Sequence, residues 1–178
     1  MSEKKDVLST TKKQMRLSER LLAEIPGFRG YKEKEIRRES DKLIRNHLYL
    51  KLAQARSDYK MVFQKMADNR QLDVFSDMDR LSAKFDRAAE RISHASYGYS
   101  GFFDAIKIQE DALDRMTDFD NQLMDQITGI ASEVSVFKGE VAKQSFDNVK
   151  DHVQNLTNLV DTLNDTLDKR EEVMMGVS

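Results

Sequence analysis

Cysteine and tryptophan are absent from this 178-residue chain, and proline occurs once. Without cysteine there is no disulfide, no thiolate nucleophile and no thiolate-held zinc, so packing alone must hold the fold. The single proline, Pro26, leaves the rest of the chain without that breaker, which suits long helices and not a sandwich of short strands with frequent turns. No stretch approaches the ~18 uninterrupted apolar residues of a spanning helix. No apolar segment follows the polar start Met1–Asp6 either, and the reading is a cytosolic, cytoplasmic protein. Also missing are G-x-x-x-x-G-K-[ST], G-x-G-x-x-G and H-E-x-x-H, and with them the parts for cradling phosphate or for zincin chemistry.

What the chain has is charge: 34% of its residues are Asp, Glu, Lys or Arg, with a net charge of −2. That small net value hides an asymmetry. Residues 1–60 carry +7, residues 61–100 are neutral, and residues 101–178 carry −9. A basic first third and an acidic last half can attract each other within one chain, between subunits, or can address separate partners.

Apolar residues recur at helical spacing throughout. A first amphipathic helix, about residues 5–25, carries Leu8, Met15, Leu22 and Ile25, reinforced by Leu21 and flanked by Lys12, Lys13, Arg16 and Arg20. Ile25-Pro26-Gly27 ends it. A second helix, from about Lys32 to Ala67, presents Ile44, Leu48, Leu52, Ala55, Tyr59, Val62 and Met66; Asp68–Gln71 is its tip. The third presents Met78, Leu81, Phe85, Ala88, Ile92 and Ala95. A fourth runs from Asp104 with Ala105, Ile108, Ala112, Met116, Phe119, Leu123, Ile127, Ile130, Val134 and Phe137 on one face, and a fifth shows Ala142, Phe146, Val149, Val153, Leu156, Val160, Leu163 and Leu167 before fading at Lys169-Arg170. A tight turn is expected at 138–141, beside Gly139. The competing reading is one rod from Asp104 to Glu172, roughly 100 Å long, that buries its seam in a dimer. The expected fold is all-α: an antiparallel bundle of about five long helices with coiled-coil-like seams. Residues 1–30 are read as an amphipathic helix with its Pro/Gly connector, and residues 31–175 as the bundle.

Six of the fourteen phenylalanine and tyrosine residues fall in two glycine-containing connectors, at 28–31 and 97–103. Antiparallel neighbours would bring both connectors to one pole. Phe28, Arg29, Tyr31, Tyr97, Tyr99, Phe102 and Phe103 are therefore the candidate interaction residues, whose rings plug the bundle end or meet a partner.

The strings Ile25-Pro26-Gly27-Phe28-Arg29-Gly30-Tyr31 through Lys42, Tyr97-Gly98-Tyr99-Ser100-Gly101-Phe102-Phe103-Asp104-Ala105, and Leu167-Asp168-Lys169-Arg170-Glu171-Glu172 resemble the shared segments of an uncharacterised family of all-helical prokaryotic proteins. The likeness covers about two-thirds of the chain. It implies an all-helical fold and no activity, cofactor or catalytic residue.

Glu90 and His94 stand one turn apart, but carboxylate-bridged dimetal bundles need Glu-x-x-His on two helices, and this chain has none. His47 and His152 have no second ligand at helical spacing. The rows Asp111, Asp114, Asp118, Asp125 and Asp161, Asp165, Asp168, Glu172 are read as solvated helix faces. The basic run Arg29, Lys32, Lys34, Arg37, Arg38, Lys42, Arg45 is threaded with carboxylates at pairing distance, such as Glu33 to Arg37 and Asp41 to Arg45. No catalytic, cofactor-binding or metal residue is assigned. The expected function is a non-enzymatic helical interaction or scaffold protein whose partner is another protein or itself. The alternative is a peripheral protein docking on an anionic membrane surface through its basic first helix; nucleic acid is not an expected partner.

Overall fold

The computed structural model describes residues 17–33, 36–94 and 110–175. Five helices pack against one another, and there is no strand among the described residues. They are α1 (17–24), α2 (Arg37–Asp68), α3 (Phe75–His94), α4 (Glu110–Ala142) and α5 (Val149–Met175). A 3-10 turn, Leu72–Val74, leads into α3. The stripes read from the sequence are the core: Ile44, Leu48, Leu52, Tyr59 and Val62 of α2 meet Met78, Leu81, Phe85 and Ile92 of α3, and both meet the inner faces of α4 and α5. Tyr59 is accommodated there because its hydroxyl donates to the Met78 carbonyl at 2.9 Å while its ring stacks on Phe85 at 5.3 Å.

Contacts close a ring in the order α2, α3, α5, α4. Helices joined by a turn are antiparallel, as expected, and the two hairpins then lie side by side. Lys84 pairs with Asp161 and Arg91 with Asp168, each 77 residues apart. A constant separation means that α3 and α5 run parallel and in register, and α2 runs parallel to α4. Both tight turns are therefore at one pole, and the starts of α2 and α4 are at the other with the ends of α3 and α5.

Residues 104–172 do not form one rod. The chain reverses after Ala142, between residues 143 and 148, which moves the expected turn from 138–141 to just beyond it. Gly139 stays in the helix on its exposed side, while Phe137 and Val141 continue the buried stripe across it. Two residues past the end of the helix, Gln144 takes a φ of +59°. Ser145 N–H donates to the Glu140 carbonyl and Gln144 N–H to the Val141 carbonyl, the paired bonds of a Schellman ending. The end of α2 repeats the device: Gln71 N–H bonds Met66 and Arg70 N–H bonds Ala67, with Arg70 at φ +56°. Both positions normally favour glycine. Gln144→Gly and Arg70→Gly are each expected to stabilise the fold by about 0.5–1 kcal/mol, read as a higher urea midpoint. No gain at either would contradict the left-handed geometry.

Two further boundaries and one buried face differ from expectation. Residues 31–33 bend, and α2 begins at Arg37 and not at Lys32, because the connector turns back before the helix starts. On α1 the buried side chains are Leu21 and Ile25, while Leu22 is 51% exposed; a three-four spacing from Ile25 selects Leu21, and Leu22 lies about 100° away. Leu8 and Met15 lie outside the described residues. Finally, α5 does not fade at Lys169-Arg170 but runs to Met175. Its buried stripe continues through Thr166, Arg170 and Met174, changing from apolar to polar in phase.

Candidate functional site

That polar continuation defines a cluster of buried charge at the pole where α2 and α4 begin. Arg170 of α5 is 5% exposed, Asp120 of α4 0% and Asp41 of α2 3%. The Arg170 guanidinium donates from Nε to Asp120 Oδ1 at 2.9 Å and from Nη2 to Asp41 Oδ1 at 2.7 Å; Nη1 rests on the Met174 sulfur at 3.3 Å. The second oxygen of each carboxylate is also taken. Tyr31 Oη donates to Asp120 Oδ2 at 2.7 Å, and Arg45 Nε to Asp41 Oδ2 at 2.7 Å. Arg45 reaches on to the Ser93 carbonyl at the end of α3, so one network touches all four long helices.

The connector is held by the same group. Gly27 and Gly30 have φ of +83° and +85°, conformations that glycine adopts without the clash a Cβ would cause. They fold residues 28–31 back onto the start of α2. There Ser40 Oγ donates to the Gly30 carbonyl at 2.8 Å and Arg37 Nε to the Tyr31 carbonyl at 2.8 Å. Phe28 and Tyr31 are buried, their rings edge to face at 5.9 Å; Arg29 between them is exposed. Tyr97, Tyr99, Phe102 and Phe103 lie outside the described residues.

Burial dominates the electrostatics here. It pushes the Asp120 carboxyl up, offset only in part by Arg170 and the Tyr31 hydroxyl. Burial also pushes the Tyr31 phenol well above its ordinary range, and the Asp120 charge acts in the same direction, which keeps the phenol the donor. For Arg170 burial favours the neutral form, but Asp120, Tyr31 and Asp41 outweigh it and hold the guanidinium charged. A general base needs a lone pair within reach of a substrate proton. Both oxygens of Asp41 and of Asp120 instead accept bonds from protein donors, an arrangement that joins elements.

Sequence reading paired Asp41 with Arg45, and the structure holds that pair. It did not single out Asp120 or Arg170. The signal was phase: Asp41 lies three residues before Ile44, Asp120 falls between Met116 and Leu123, and Arg170 follows Leu163 by seven, all on buried stripes.

The acidic rows are partly spent within the chain. Asp125 accepts from Arg20 at 2.7 Å, Asp161 from Lys84 at 2.6 Å and Asp168 from Arg91. Of these cations, Arg20 belongs to the basic first third, while Lys84 and Arg91 belong to the neutral middle of the chain. Glu90 and His94 are both exposed. Among the described residues no group of three or more His, Asp or Glu is placed to hold a metal ion.

A second polar group sits at the opposite pole. His152 stacks on Phe137 at 4.8 Å, with Nδ1 2.7 Å from Glu133 and Nε2 3.1 Å from Glu140. The two carboxylates flank opposite ring nitrogens and so cannot converge on one ion. Burial alone would lower the imidazole, but the bond to Glu133 and the Glu140 carboxylate beside Nε2 outweigh it and raise it above its ordinary 6.5. The bond to His152 in turn lowers Glu140 from 4.5. A raised histidine contributes stability that is complete below its unfolded value and lost as pH rises through the folded one; a lowered carboxylate contributes above its unfolded value. The clasp is therefore strongest between about pH 4.5 and 6.5. The melting temperature should fall from pH 6 to pH 8.5, and His152→Gln should flatten that fall. An identical fall in the variant would sink the assignment.

No protein family, no curated protein and no solved structure matches this chain.

Proposed function

We propose that the chain is a non-enzymatic helical interaction or scaffold protein of the cytoplasm, associating with itself or with a protein partner. The observation that carries this is on the outer side of α2. Asn46, Leu50, Gln54, Ser57, Met61 and Gln64 follow one another at steps of four and three, all exposed and all uncharged. Leu50 is 67% and Met61 45% exposed. Those steps put the six side chains on one helical face, about 27 Å long. Isolated exposed apolar residues are ordinary. A strip without a single charge, in a chain where 34% of residues are charged, has the composition and spacing that a partner helix packs on.

Saturation of Asp41 and Asp120 by protein donors supports the non-enzymatic part of the reading. No helix among the described residues is long and apolar enough to cross a membrane. Of the apolar residues that docking on anionic lipid through the first helix would use, Leu21 and Ile25 are turned into the bundle and Leu22 is exposed.

The test is Leu50→Glu with Met61→Glu. Exposed substitutions of this kind shift stability by about 0.5 kcal/mol or less, so the melt should be retained. Association measured by light scattering and by affinity copurification should be lost. Association unchanged in the double variant would overturn the strip as the working surface.

A further inference from the structure

We infer that the groove between the parallel helices α2 and α4 is a docking groove for an amphipathic helix of a protein partner, and that residues 17–25 occupy it as a displaceable strap. The inference rests on the interaction reading above and names a second, separate surface for it.

Residues 17–25 lie between the two helices. Arg20 Nη2 donates to Asp125 of α4 at 2.7 Å, Glu24 lies 3.7 Å from Lys51 of α2, and Asn121 Nδ2 of α4 reaches the Leu17 carbonyl at 3.4 Å. Only Leu21 and Ile25 of this stretch are buried. The ion pairs are open to water, with Asp125 64% and Lys51 40% exposed at the side chain, and pairs of that kind add little. The connector that follows is anchored far more firmly, through Tyr31 on Asp120 and Ser40 on Gly30. Displacing the strap uncovers Leu21 and Ile25 and breaks the Phe28 N–H bond to the Ile25 carbonyl across Gly27, while the anchors of the connector on Asp120 and Ser40 are untouched.

A second observation shows that the strap is an imperfect occupant. Asn121 is 3% exposed, and its Oδ1 is buried without a hydrogen-bond partner among the described residues. Its amide nitrogen faces the Leu17 and Thr117 carbonyls, which fixes the oxygen as the atom left over. A buried acceptor of this kind is costly until a donor reaches it. The groove thus specifies its ligand: two aliphatic side chains one turn apart, a cation just before the first, a carboxylate facing Lys51, and a side-chain N–H or O–H donor one turn before the first aliphatic residue.

The probe is a labelled synthetic peptide of residues 13–25, made also with Leu17→Gln to supply the donor. Binding is followed by anisotropy to the full chain and to the full chain carrying Leu21→Ser with Ile25→Ser, which releases the strap. The released chain should bind the peptide saturably and at least about ten-fold more tightly than the native chain, because the native groove is open only in a small fraction of molecules. The Leu17→Gln peptide should bind more tightly than the unaltered one. Arg20→Glu, which leaves Leu21 and Ile25 in place but sets a like charge against Asp125, should give intermediate binding in a chain of undiminished helicity. A folded released chain that binds no better than the native one overturns the inference, and so does collapse of the released chain together with no binding to the Arg20→Glu chain. Loss of association in the Leu50, Met61 variant is independent of these results, so the strip can stand where the groove fails.

Discussion

Arg170→Met is expected to destabilise the protein by about 3–5 kcal/mol, because it strands two buried carboxylates that the guanidinium now bridges. Asp120 at 0% and Asp41 at 3% exposure have no water to turn to. Asp41 would keep Arg45 and Asp120 would keep Tyr31, so the loss is that of one shared cation and not of the whole network. Methionine approximates the apolar stem of arginine and keeps contact with Met174, which confines the change to charge and hydrogen bonding. Urea unfolding reads the result. Stability within about 1 kcal/mol of the native chain would mean that the cluster is not as buried as its geometry indicates.

The largest expected effect belongs to Leu156→Asp with Leu163→Asp. Both leucines are fully buried in the chain's own core, between α3 and α4. Each substitution removes apolar burial and places an unpaired carboxylate where α5 meets the other helices. Costs above about 4 kcal/mol per site are characteristic of that mechanism, and together they exceed the whole stability of an ordinary domain. The far-ultraviolet dichroism should collapse. A monomer with undiminished helicity would show instead that the α5 stripe is a seam between chains.

These two sites show what was legible in the sequence. Leu156 and Leu163 were visible because an apolar residue every third or fourth position has few explanations other than a core-facing helix. Arg170 occupies the same phase on the same helix, yet its charge made the stripe appear to end. Whether an in-phase charge is buried depends on partners 50 and 129 residues away in the chain, and no local pattern reports those. The turns were obscured for a different reason. Sequence reading places a helix end at glycine, but here Gly139 is an exposed helical residue, and Gln144 and Arg70 hold the left-handed positions. The parallel packing of the two hairpins was likewise not readable, since the turns specify only which neighbours are antiparallel.

The central claim is that the charged pole is a joint in which connector, α2, α4 and α5 are energetically coupled. A double-mutant cycle on Arg170→Met and Asp120→Asn tests it most directly, since asparagine keeps the size of the side chain and removes its charge. The account predicts a coupling energy of about 0.5–3 kcal/mol between the two positions, with the double variant more stable than the sum of the single losses allows. Additive losses, with a coupling energy indistinguishable from zero, would contradict it.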